Sequence, residues 1–184
     1  MQFAPTSSIL QAMSEIDEMW SQMLAEAREN ARASARHDVA DYLDLKARND
    51  LIRRTGIAWL FETVITMVAA ANRSNVAVAI ERTEPHSFNY RGANIVGSAV
   101  SFRYGVRCLT VEAGWTRTPA DGFMRGGGLA LARLRHFGIS AKNVEIALTG
   151  TSGPPVWQVI REDAMQEEIR SEFLRSHVDL LTSD

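Results

Sequence analysis

Arg91–Phe137, RGANIVGSAVSFRYGVRCLTVEAGWTRTPADGFMRGGGLALARLRHF, is the stretch on which the fold turns. Its first half alternates. Residues 95–103 and 106–113 read as two strands joined at Tyr104-Gly105, since a two-residue turn with glycine favours a tight hairpin. That turn predicts Ser101 opposite Cys108, Ala99 opposite Thr110 and Gly97 opposite Glu112. On the other face it sets Val100 against Leu109 and Phe102 against Arg107. One face is then bulky (Val78, Ile80, Val100, Phe102, Leu109, Val111). The other is small (Ala77, Ala79, Gly97, Ala99, Ser101, Cys108, Thr110) and carries Glu81, Glu112 and Arg103. The small face is expected either to floor a pocket or to lie under a helix. The second half, TRTPADG followed by a glycine triplet, predicts a turn and then a helix to Phe137, stopped by Gly138. Ala130, Leu134 and Phe137 form its expected inner side, with Arg135 and His136 outside.

Working outward, the chain begins with residues 7–33, where Ile9, Met13, Ile16, Trp20, Met23 and Ala27 recur at spacings of 4, 3, 4, 3 and 4. This heptad-like seam predicts a helix that helps to form a homo-oligomer. A break near Ser34, a more polar helix over 33–50 and a strongly apolar one over 51–72 follow. Val76, Val78 and Ile80 alternate as a strand, and residues 84–92 read as a loop. After the central stretch come strands at 144–149 and 156–160 and a terminal helix over 161–181. The expected class is α+β: a mostly antiparallel sheet of about five strands, in the order helices, three strands, helix, two strands, helix. The domain reading is an N-terminal helical arm, 1–50, and an α+β domain, 51–184.

Composition narrows the function classes. The 184 residues are 46% hydrophobic, which supports a core, and the formal net charge is −2. A single cysteine, Cys108, rules out an internal disulfide and a four-thiolate zinc site. The opening MQFAPTSSIL is not patterned as a secretory signal, and the apolar run 56–71 is short for a membrane span and contains Glu62. The expectation is a cytoplasmic protein with no membrane partner. Basic residues are 18 Arg and 2 Lys, concentrated in 91–142, which has 8 basic against 2 acidic side chains; residues 143–184 have 3 against 8. A basic centre suits an anion, and it equally suits an acidic helix packed beside it.

Specific chemistry has few candidates. Arg103, Arg107, Arg117, Arg125 and the triplet Gly126, Gly127, Gly128 are candidate anion ligands, because guanidinium forks and glycine-lined N–H groups suit phosphate. The triplet lacks the ending of a P-loop. Glu81 and Glu112 are the candidate catalytic carboxylates, as a general acid–base pair or the start of a cation site. No histidine pair has metal-ligand spacing, so neither metal nor cofactor is expected. Over residues 51–149 the element order is similar to the core of the PD-(D/E)XK nucleases. Such an enzyme needs an acid on the second strand and Glu-x-Lys on the third. Here the second strand has no acid and the third has Glu112-Ala113-Gly114. The order also resembles a double-stranded-RNA-binding domain without its lysine patch. The leading expectation is a non-catalytic binding or assembly module, adaptor, chaperone-like or regulatory, with a protein partner. Nucleic-acid or phosphate-ligand binding through residues 91–135 stands second, and a degenerate metal-dependent hydrolase third.

Overall fold

The computed structural model describes residues 19, 22–74, 77–122, 124, 128–150, 154–160 and 167–183. The chain divides into two compact units, 1–51 and 52–184.

In the first unit, residues 22–33 are helical (α1) and a turn at Ser34–Ala35, with Ala35 at φ 58°, ends the helix where the break is expected. Helix α2, His37–Arg73, follows as one element where the sequence suggests two. Within this unit Ala31 and Ala40 are buried, and Asp44 accepts hydrogen bonds from Arg28 at 3.0 Å and Arg32 at 2.8 Å. Most of the heptad-like seam lies outside the described residues.

The second unit is an α+β domain built on six antiparallel strands in the plain order β1-β2-β3-β4-β5-β6. They are β1 Ala79–Tyr90, β2 Ala93–Tyr104, β3 Arg107–Trp115, β4 Ala130–His136, β5 Val144–Thr149 and β6 Val156–Val159, followed by α3 Ser171–Thr182. One sheet face packs against helices. Val100, Phe102, Leu109, Val111, Leu134, Ile146, Leu148 and Trp157 meet Leu60, Phe61, Val64 and Val68 of α2 and Leu174, Val178 and Leu181 of α3. The helical residues recur at three- and four-residue intervals, so each helix turns one stripe to the sheet. Gly56 brings α2 close to β5: a Cβ there would lie 2.6 Å from Leu148, and the Gly56 carbonyl accepts the Trp157 indole N–H at 3.0 Å. By length and composition α2 would pass for a membrane span, yet its buried residues beyond position 51 belong to the core cluster of the sheet.

Three expectations are corrected. The helix expected before Gly138 is strand β4. Ala130, Ala132 and Leu134 face the core while Leu131, Arg133 and Arg135 face the other side, a period of two. Ala, Leu and Arg favour helix weakly, and hydrogen bonding to β3 on one side and β5 on the other overrides that preference. With this strand in place the nuclease-like and RNA-binding-like element orders disappear. Second, the hairpin turns at Gly105–Val106, with Gly105 at φ 55°, so Tyr104 pairs with Arg107, Ser101 with Thr110 and Gly97 with Gly114. The pairing moves by two residues, and an even shift leaves every side chain on its expected face. Third, residues 84–90 are strand rather than loop, and the last helix begins at Ser171. Ahead of it Glu167 and Ile169 hydrogen-bond along β6, with Ile169 N–H to Trp157 O at 2.7 Å.

Two histidines close the contact between β4 and α3. His136 Nε2 and His177 Nδ1 lie 2.8 Å apart, both rings are buried, and Phe173 packs on His177. Burial, then the neighbouring His136 and the Lys142 charge, hold His177 down to about 4; burial, then Lys142, lowers His136. An unfolded histidine titrates near ~6.5. The unfolded chain therefore takes up a proton that the folded chain refuses. This contribution is complete above pH ~6.5 and is lost as pH falls toward the folded value. Urea midpoints at pH 7, 5.5 and 4.5 should fall steeply for the native chain and less for His177→Phe. Parallel curves would assign acid sensitivity elsewhere.

Candidate functional site

The face away from the helices has two halves. Over the upper half, Phe88, Ala93, Ile95 and Leu131 form a second small core with Tyr90, Met124 and Ile160 against it. The β3–β4 connection that helps to cover this half is tied down by Asp121. Its carboxylate accepts from Asn94 Nδ2 at 2.9 Å and from the Thr118 N–H and hydroxyl, each at 2.9 Å. These hydrogen bonds, Asn94 first and Thr118 next, hold Asp121 below the usual carboxylate range. Trp115 turns to the helix side and carries the Arg117 guanidinium 3.4 Å above its ring.

At the border of the two halves sits a buried ion cluster. Glu112, 5% exposed, accepts Arg133 Nε–H at 2.7 Å on one oxygen and lies 2.7 Å from His86 Nε2 on the other. Arg133 also donates to the Asn89 carbonyl at 3.2 Å and lies over Phe88, 4.4 Å from its centroid. A bulge creates this cluster. Thr83 pairs with Ala99 but His86 pairs with Gly97, so β1 carries one extra residue between them. Before the bulge, Ala79, Glu81 and Thr83 share the face of Glu112; after it His86, Phe88 and Tyr90 do. In a regular ladder continued from Thr83, Pro85 would pair with Gly97 and His86 would stand on the opposite face. Close strand approach beside the cluster is permitted by Gly97 and Gly114, which face one another.

The lower half is open. A cavity of about 600 Å³ is lined by Arg103, Cys108, Thr110, Glu112, Arg135 and the turn 136–143. Its floor follows from the register. One row runs Ser101–Thr110–Arg135, and the next runs Arg103–Cys108 and on to Phe137, whose N–H donates to Cys108 O at 2.8 Å. The Ser101 and Thr110 hydroxyls lie 3.4 Å apart, and Cys108 Sγ is 3.8 Å from Thr110. Arg103 and Arg135 thus stand at diagonal corners of a small-residue floor, about 12 Å apart by strand spacing and rise. Among the described residues no hydrogen bond or ion pair holds either guanidinium. Arg133 neutralises Glu112, which leaves Arg103 and Arg135 as the charged side chains that line this cavity, with Glu81 and Glu145 on the same face outside its lining.

The sequence-predicted residues are therefore scattered. Arg103 and Glu112 meet at the cavity. Glu81, exposed on β1 opposite Ser101, is two strands away from Glu112 and in a different row, so the two carboxylates make no pair. Arg107 is on the helix side, reaching Leu180 O at 3.5 Å and Ser183 at 3.4 Å. Arg117 stacks on Trp115. Arg125, Gly126 and Gly127 lie outside the described residues, and Gly128 is in ordinary contact with Ala147 and Met124, with nothing that requires a glycine. Arg135, Arg133 and His86 are the residues that sequence reasoning misplaced. Their signals are the alternation Leu131, Arg133, Arg135 and a proline inside a strand-like run, which marks a bulge or an edge. Among the described residues no group of three His, Cys, Asp or Glu could hold a metal ion.

The chain matches no family model, no curated protein and no solved structure.

Proposed function

We propose that the chain is a binding module whose open half-face takes a small anionic ligand, phosphate- or carboxylate-bearing, between Arg103 and Arg135. The observation that carries this reading is the pair of unpartnered guanidiniums over a floor of Thr110 and Cys108, in a cavity of ligand size. Of the carboxylates on this face, Glu112 is satisfied by Arg133 and His86, while Glu81 on β1 and Glu145 on β5 stand diagonal to Arg103 and Arg135 and do not line the cavity. Both arginines are exposed, so their replacement leaves the core intact. Titration calorimetry with inorganic phosphate should show binding that weakens with salt and falls at least tenfold in Arg103→Gln/Arg135→Gln. Unchanged affinity in that variant would exclude this site.

A homo-oligomer built through the helical arm is a second reading, favoured by one observation. Among the described residues of 1–51, Met19, Met23, Tyr42, Leu45 and Leu51 are exposed while the buried apolar residues are Ala31 and Ala40. With only alanines buried between the described parts of α1 and α2 in this unit, the larger apolar side chains are left for a second copy to cover. Light scattering on the full chain should give a dimer or larger species, reduced in mass by Tyr42→Ser/Leu45→Ser. A monomeric full chain at micromolar concentration rules this out.

A further inference from the structure

We infer that the anion held by Arg103 and Arg135 is carried on an apolar, planar body, so that the ligand is an aryl or heteroaryl phosphate or carboxylate rather than a bare anion. This rests on the reading of the two arginines as an anion site and adds the other end of the ligand. Two of the cavity's lining residues have no structural reason to be apolar. Val106, 89% exposed, occupies the second position of the two-residue β2–β3 turn, where polar residues and glycine are the usual occupants. Phe137, 76% exposed, follows β4 and precedes Gly138, whose φ is 79°.

Neither side chain contributes to a core, and burying a phenyl ring is worth far more than leaving it in water. Their placement is not diffuse. In an up-and-down sheet the β2–β3 and β4–β5 turns lie at the same end, and both residues line the cavity that holds Arg103 and Arg135. The Phe137 backbone is pinned to β3 through Cys108, so its ring borders the row Arg103–Cys108 at a fixed distance from Arg135. The surface thus offers two cations over a small-residue floor and, beside them, two apolar walls. A flat ring between those walls, joined to an anion at the arginines, satisfies both. The cavity is too small for a folded partner and large enough for a ring with one charged substituent.

The test compares inorganic phosphate with phenyl phosphate by titration calorimetry on the full chain. Phenyl phosphate should bind about tenfold more tightly. Phe137→Ser, at an exposed position that should leave folding unaffected, should remove that advantage and leave inorganic phosphate affinity unchanged. Equal affinity for the two probes on the native chain, or an advantage that survives Phe137→Ser, overturns the inference and leaves the anion site standing. No binding of either probe removes the anion site and the inference together.

Discussion

Replacing Arg133 by methionine is expected to lower the stability of the folded chain by about 3–5 kcal/mol. The reason is Glu112. Its side chain is almost fully enclosed, and Arg133 Nε–H is the charge that balances it at 2.7 Å. Methionine keeps the apolar packing over Phe88 and removes the charge, so the carboxylate is left buried beside a histidine alone. An ion pair of this kind adds little when compared with two apolar residues in its place, while half of one is costly. The double variant Arg133→Met/Glu112→Met should therefore be more stable than Arg133→Met by itself. Urea unfolding of the native chain, both single variants and the double variant would give the coupling directly. A loss below about 1 kcal/mol in Arg133→Met would show that the cluster is solvated and weak. A domain of this size has a total stability of about 5–15 kcal/mol, so the expected loss would make it marginal at 37 °C.

The second large effect is steric. A methyl group on Gly97 would overlap the Ala113 carbonyl oxygen and sit 2.6 Å from Gly114 Cα; one on Gly114 would sit 2.5 Å from Val96 O. These neighbours are backbone atoms within the β2–β3 ladder, which cannot move aside without breaking hydrogen bonds. Overpacking costs about 1–3 kcal/mol where side chains can adjust, and more where they cannot. Gly97→Ala should thus cost about 3 kcal/mol or more, a fall in melting temperature of about 10 °C. Gly128→Ala is the matched control: its methyl group would meet Ala147 and Met124 at 3.6 Å, and the melting temperature should hold within about 2 °C. Similar melting of Gly97→Ala and the native chain would mean that the two strands can separate locally at no cost.

What could be read from the residues, and what could not, divides along a physical line. Period-two runs such as Val100, Phe102 and Leu109, Val111 assign faces through local geometry, and they were legible. An error of one residue at the turn moved the pairing by two and left the faces right. The long apolar stripe of α2 was legible for the same reason, because its period is contained in the segment itself. Strand β4 was not. Leu-Ala-Arg-Leu-Arg is acceptable to helix and strand alike, and what decides between them is hydrogen bonding to β3 and β5, which lie elsewhere in the chain. Misplacing β4 removed Arg133 and Arg135 from the sheet, so the partner of Glu112 and half of the anion site went unseen. His86 was missed because a proline one position earlier reads as a loop, whereas on the edge of a sheet it is compatible with a bulge.

That bulge bears on one more property. Strand β1 is twelve residues long and lies at the border of the sheet, with β2 on one side and, among the described residues, no strand on the other. A long unpaired border offers its N–H and C=O groups as a template for another chain. Here the row is interrupted near its middle: Pro85 has no N–H to give, the extra residue skews the ladder, and the paired charges of Arg82 and Glu84 stand beside it at 3.0 Å. The same irregularity that aims His86 at Glu112 thus also interrupts the template that a straight border strand would present to another chain.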